Sequence, residues 1–282
     1  MPDSNNSQLV GYRFSIQKRL AIVAAIAVGL LPMVWFGWKG IVSSICLVIC
    51  GILLVVGKRG LAVTLFVLLA AGQFFYPALD GGREAILRTG CQNNVRKLAI
   101  AIHGYESIHG HIPPPYSIAA DGTPLHSWRV LLLPFLGEQA LYDQIDTDKP
   151  WDAPVNIPFH DRMPEVFCCA ATKYHSKWRS TGNTTAYVVV VGSGTPWRVN
   201  KPPSLTQMPN GTSRTIAIVE SENHRIPWMS PADPDLETFM DNLDFSRPHN
   251  GLLNFSMFDG SVHALGNDSR EDMKMLRIAD RK

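Results

Sequence analysis

Between residues 20 and 79 this 282-residue chain has almost no charge: Lys39, Lys58 and Arg59 are its only charged residues there. Elsewhere other things are missing. There is no His-Glu-x-x-His, no Gly-x-Ser-x-Gly, no phosphate-binding Gly-x-x-x-x-Gly-Lys loop and no Gly-x-Gly-x-x-Gly. The local geometries those motifs build for metal hydrolysis, acyl transfer, nucleotide and dinucleotide binding are therefore not signalled. No reaction class is left to assign, and the chain reads as non-enzymatic with no cofactor. Charge of one sign is lacking too: 26 Lys+Arg against 24 Asp+Glu leave a net +2. Nucleic-acid binding needs a clustered basic face, so nucleic acid is excluded as a partner. No internal repeat or low-complexity tract is present.

What is present divides into two materials. Residues 20–38, 41–57 and 61–79 form three apolar segments. A helix needs roughly 20 apolar residues to cross about 30 Å of hydrocarbon, and the first and third segments meet that length. The second is shorter and draws on Gly40 and Gly57. The sequence predicts an anchor of three transmembrane helices with the lipid bilayer as partner. Arg13, Lys18 and Arg19 before the first segment, and Lys58 and Arg59 before the third, place those ends in the cytoplasm. A multi-pass cytoplasmic-membrane protein follows. Residues 1–19 are an inside tail, and residues 80–282 are an outside domain long enough for its own core.

After Asp80, Gly81 and Gly82 permit a bend. Leu87, Cys91, Val95, Leu98, Ile102 and Tyr105 then recur at steps of three and four, the apolar stripe of an amphipathic helix. Gly110 and Pro113 to Pro115 end it. Residues 127–144 read as helical, with Pro134 at a tolerated first-turn position. Residues 184–191 and 215–219 read as strands, and Asn210-Gly211 as a turn. Residues 252–258 and 261–265 flank Asp259-Gly260, which suits a two-residue type I′ hairpin. A long helix packed on an antiparallel sheet, an α+β arrangement, is expected.

The segments Arg83-Glu84-Ala85, Cys91, Asn93-Asn94, His103 and Tyr105 carry a resemblance, continued by Trp128-Arg129, Trp151-Asp152, Cys169 and Glu220. It closes on His249, nine residues, then Asp259-Gly260. In order and spacing they resemble a planctomycete family of unknown function, sometimes catalogued beside solute-binding proteins. Its members carry a pilin-like domain and a terminal His-X9-Asp-Gly motif. The prepilin signal of that family is absent here, so the resemblance implies a fixed pilin-like domain, not a polymerised pilin. It also marks Cys91 and Cys169 as the family's two cysteine positions and thus a candidate disulfide. An oxidising compartment would allow the bond, and the adjacent Cys168 leaves Cys91 a choice of partner.

Other candidates are weaker. Cys46 and Cys50 share one face of the second segment and read as packing residues. His103, His109 and His111 do not follow a known ligand spacing. His249 has Asp244 or Glu220 as prospective acid partners. The acids at 233–244 (Asp233, Asp235, Glu237, Asp241 and Asp244) form a loop of the kind that can coordinate calcium, without an EF-hand pattern. Exposed tryptophans would suggest glycan contacts, whereas Trp128 and Trp151 sit among apolar residues and read as core. The leading expectation is a non-catalytic envelope protein presenting its domain to an unknown envelope protein or small ligand. The alternatives are a tethered solute- or glycan-binding domain, and an accessory component of a type II secretion or type IV pilus-like system.

Overall fold

The computed structural model describes residues 23, 48–53, 59–171, 182–192, 194–243, 249 and 251–266, with backbone alone at 59, 62 and 69–81. The chain divides into two compact units, Met1–Gly82 and Arg83–Lys282. The first predicted apolar segment and most of the second lie outside the described residues. The third falls in helix α1, Arg59–His109.

Among the described residues no helix is long and apolar enough to cross a membrane. That finding overturns the expected anchor of three transmembrane helices and the multi-pass membrane placement drawn from it. Taken whole, α1 is not an apolar helix: past the third segment it continues through Arg83, Glu84, Arg88, Arg96 and Lys97, and its apolar stripe from Cys91 on is buried in the core of the second unit. The fold class is corrected with it. In place of a three-helix anchor carrying a pilin-like domain, the described chain has one helix longer than six residues and a small sheet-rich domain.

Within the second unit, the apolar stripe of α1 faces inward as its spacing requires. Cys91, Val95, Leu98 and Ile102 are fully buried. Gly110, at φ 76°, ends the helix in the left-handed region that glycine adopts without strain. The predicted helix at 127–144 is instead three short pieces: α2 (Trp128–Leu131), a 3-10 turn (Leu133–Leu136) and α3 (Gln139–Tyr142). Pro134 at the start of the turn and Gly137 at φ 81° after it break the continuous ladder.

Among the described residues the strands form three antiparallel sheets. β1 (Tyr116–Ile118) pairs with β2 (Pro124–Ser127), and β3 (Thr184–Thr185) pairs with β6 (Ile226–Pro227). The four-stranded sheet runs β4 (Tyr187–Val188), β5 (Ile216–Glu220), β7 (Leu252–Met257) and β8 (Val262–Gly266). The single strand predicted at 184–191 is thus two short strands in different sheets.

β5 is buried throughout. Ala217 and Ile218 join the core that contains Val95, Leu98 and Ile102 of α1, while Ile216 and Val219 join Phe239, Leu253 and Phe255. Two adjacent residues can share a core only if the strict two-residue alternation slips. The register irregularity between Ile216 and Ile218 supplies that slip. The larger core is built from aromatics: Trp128, Trp197, Trp228, Phe167 and Phe258 are each at most 1 % exposed. The short helix α4 (Leu236–Asp241) packs Phe239 on the second core.

The β7–β8 turn differs in detail from the expected type I′ hairpin. Only Gly260, at φ 84°, has positive φ there. Asp259 Oδ1 instead accepts from the backbone N–H of Ser261 at 2.8 Å and from its hydroxyl at 2.6 Å. The Asp supplies a side-chain brace, and only the Gly supplies the left-handed backbone.

Candidate functional site

The helix stripe that fills the core also delivers Cys91 to a buried polar cluster. The 3-10 turn Glu165–Phe167 leads the chain to Cys169, β5 ends on Glu220, and His249 stands just before β7. Candidate ligand atoms of Cys91, Cys169, Glu220 and His249 all lie within 4.8 Å of one another, and all four residues are buried. This is one group of metal-binding type among the described residues.

The cysteine sulfurs are 3.0 Å apart and both residues are thiols. The pair singled out by the family resemblance is therefore brought together, without a bond. Cys168 is not part of the pair: its Sγ lies 3.7 Å from the Cys169 carbonyl, and its own carbonyl accepts from Asn94 Nδ2 at 3.0 Å. His249 Nε2 lies 3.9 Å from Cys169 Sγ and 3.3 Å from Glu220 Oε2, while its Nδ1 is 3.4 Å from Glu84 Oε1 on α1. Asn254 Nδ2 donates to Glu220 Oε2 at 2.7 Å, and the Ala170 N–H donates to Cys91 Sγ at 3.2 Å.

These contacts set the charges. The hydrogen bond with Cys169 lowers the Cys91 thiol to about 7 against the opposing effect of burial. Burial, then Cys91, pushes Cys169 upward, so the pair holds one readily ionised sulfur beside one that keeps its proton. Burial pushes His249 down, but hydrogen bonds to Cys91 and Glu220 outweigh it and raise the imidazole to about 10. Burial raises Glu220, and the bonds from His249, Cys169 and Asn254 reverse it, leaving the carboxyl below its usual value.

A second buried network adjoins this cluster through Tyr187, which pairs with Glu220 across β4 and β5. Arg129 and Asp233 form an ion pair at 2.7 Å whose side chains are 0 % and 1 % exposed. Arg129 also donates twice to the Tyr187 carbonyl. Asp233 also accepts from Trp128 Nε1 and the Val189 N–H. Asp233, read in sequence as a calcium-loop acid, is thus committed to the core. Asp235 caps α4, accepting from the Thr238 N–H at 2.8 Å. Glu237 and Asp241 are exposed, and Asp244 lies outside the described residues.

The remaining candidates have structural placements. His103 Nε2 meets the Phe258 carbonyl at 2.6 Å, tying α1 to the β7–β8 turn. Tyr105 stacks on His109 at 3.9 Å, and His111 bonds the Ile112 carbonyl, so the three histidines do not converge as ligands. Trp151 stacks on His160 at 5.1 Å. Asn93 and Asp152 are exposed. Trp128, Trp197 and Trp228 are core residues, which removes them as glycan-stacking platforms.

The concavities that the described residues form include these two. One, of about 220 Å³, lies beside Gly90, Asn94, Lys97 and Cys168. The other is an open cleft of about 410 Å³ between Tyr116 at the start of β1 and the stretch 191–200, with Trp197, Arg198 and Asn200 on its wall. Sites for small molecules typically run roughly 300–1,000 Å³, which favours the second. Gly192, at φ 136°, turns the chain at its edge. The Arg198 Nε–H donates to the Thr195 carbonyl at 2.9 Å, which fixes the guanidinium at the rim.

A family model described as a protein of unknown function (DUF1559), SBP_bac_10, matches residues 81–226. The match takes in Cys91, Cys169 and Glu220 and ends before His249, so the terminal His-X9-Asp-Gly motif lies beyond it. No curated protein and no solved structure matches.

Proposed function

The chain belongs to the DUF1559 family, and on that premise we propose that its sheet-rich unit is a non-catalytic, solute-binding-like domain that takes a small polar ligand in the cleft beside Tyr116 and Arg198. The cleft carries this reading. It has the volume of a small-molecule site, and its lining includes the Tyr116 ring, the Arg198 guanidinium and the Asn200 amide. The family's SBP_bac_10 label agrees with it. Arg198 suits a carboxylate or a hydroxyl-rich ligand, because a guanidinium offers several donors in a fixed plane. The buried tryptophans argue against a broad aromatic platform for a long glycan and for a compact solute instead.

The test is a thermal-shift panel of mono- and disaccharides and small carboxylates on the full chain and on Arg198→Ala. A ligand that binds only the folded state raises the midpoint with concentration. The expected result is a saturable rise in the wild type that Arg198→Ala loses. No shift across the panel, or an equal shift in Arg198→Ala, contradicts the reading.

A further inference from the structure

We propose that Cys91, Cys169, Glu220 and His249 form a closed tetrahedral site for a divalent cation of the zinc class. The site is separate from the cleft and does not depend on it. Four ligand-type side chains from four stretches of the chain converge in the interior. Two sulfurs, one imidazole and one carboxylate are the donor set of a borderline-soft ion and do not suit calcium or magnesium, which take oxygen ligands.

The spacing can be tested against that ion. With zinc bonds of about 2.3 Å to sulfur and about 2.0–2.1 Å to nitrogen or oxygen, a tetrahedron has edges of about 3.3 Å between nitrogen and oxygen and about 3.8 Å between sulfurs. The His249–Glu220 edge is 3.3 Å and the Cys169–His249 edge 3.9 Å. The 3.0 Å between sulfurs would open by about 0.8 Å to reach that tetrahedral edge.

The surroundings fit a metal ligand set as well. Glu84 stands 3.4 Å from His249 Nδ1, where a carboxylate fixes the ring so that Nε2 faces the ion. Asn254 orients Glu220 at 2.7 Å, and the Ala170 N–H meets Cys91 Sγ. With all four positions supplied by protein, the ion is structural and leaves no open position for chemistry. It would join α1, the segment after the Glu165–Phe167 turn, the end of β5 and the start of β7, which lie far apart in sequence. A pattern with ligands at 91, 169, 220 and 249 has no short spacing that sequence inspection could detect.

The experiment reduces the full chain under anaerobic conditions and titrates it with cobalt(II), followed by zinc. The expected result is saturation at one equivalent, with thiolate-to-cobalt charge-transfer absorption, tetrahedral d–d bands and displacement by zinc. Glu84→Gln keeps those bands but binds cobalt roughly 10- to 100-fold more weakly, the usual effect of losing a carboxylate behind a ligating histidine. The reduced wild type showing no charge-transfer absorption overturns the assignment. So does an unchanged spectrum in a folded Cys91→Ser/Cys169→Ser double variant.

Discussion

Asp233→Asn is the perturbation whose size follows most directly from the structure. The Asp233 carboxylate receives four hydrogen bonds: Oδ1 from Arg129 Nη2 at 2.7 Å and from the Val189 N–H at 3.0 Å, Oδ2 from Arg129 Nη1 at 3.0 Å and from Trp128 Nε1 at 3.2 Å. Asparagine keeps the shape but removes the charge and turns one acceptor into a donor facing donors. The guanidinium is then left without a counter-charge in the core. Breaking a buried pair in this way costs about 3–5 kcal/mol. For a unit of this size each kcal/mol shifts the midpoint by roughly 2–4 °C, so the expected fall is roughly 6–20 °C. Urea unfolding checks it, with a lower midpoint at unchanged slope. Replacing both partners, Arg129→Met with Asp233→Leu, removes the stranded charge and is expected to cost less than Asp233→Asn alone. A loss below about 1 kcal/mol in Asp233→Asn would refute the reasoning, since that is the scale of a solvent-screened pair.

Two further outcomes follow from local geometry. Gly260→Ala forces a side chain onto a backbone at φ 84° and is expected to destabilise by about 1–2 kcal/mol, read in the same urea assay; no change would mean the turn relaxes to negative φ. Burial holds His126 and His224 below the usual histidine value, so the folded state binds fewer protons at these sites than the unfolded chain. Their contribution to stability is present at high pH and lost as pH falls through about 6.5 and below. The difference in urea midpoint between wild type and His224→Gln, followed from pH 8 to pH 5, is expected to narrow as pH falls; a widening difference has the wrong sign.

The helix stripe was the most legible part of the sequence. Leu98 and Ile102 recur at helical spacing because one face must be buried, and both are. Arg129 and Asp233 were visible as residues but not as a pair, because 104 positions separate them and only the folded core joins them. The same applies to Cys91, Cys169, Glu220 and His249. The family resemblance associates Cys91 with Cys169, and Glu220 is one of two acids the sequence offers His249. That all four meet at one point, with Glu84 behind the ring, required tertiary structure. The predicted membrane anchor failed for a complementary reason. The third apolar run is only the first part of a longer helix whose later turns are packed on the core of the second unit, and no described helix suffices to cross a bilayer. The 127–144 helix failed because local apolar spacing outweighed two breakers, Pro134 and Gly137, in the reading. The cleft left no trace in sequence: Tyr116 opens β1, Arg198 lies 82 positions later outside any strand or helix, and the two follow no motif.

Binding of a small solute in the cleft beside Tyr116 and Arg198 is what the proposed function requires. The most direct test is backbone amide hydrogen exchange on the full chain with and without whichever saccharide or carboxylate of the panel raises the thermal midpoint most. Slowed exchange is expected at Tyr116 and at Trp197, Arg198 and Asn200, with Gly90, Asn94 and Lys97 beside the smaller concavity unchanged. Protection confined to Gly90, Asn94 and Lys97, or absent from both places, would contradict binding in the cleft.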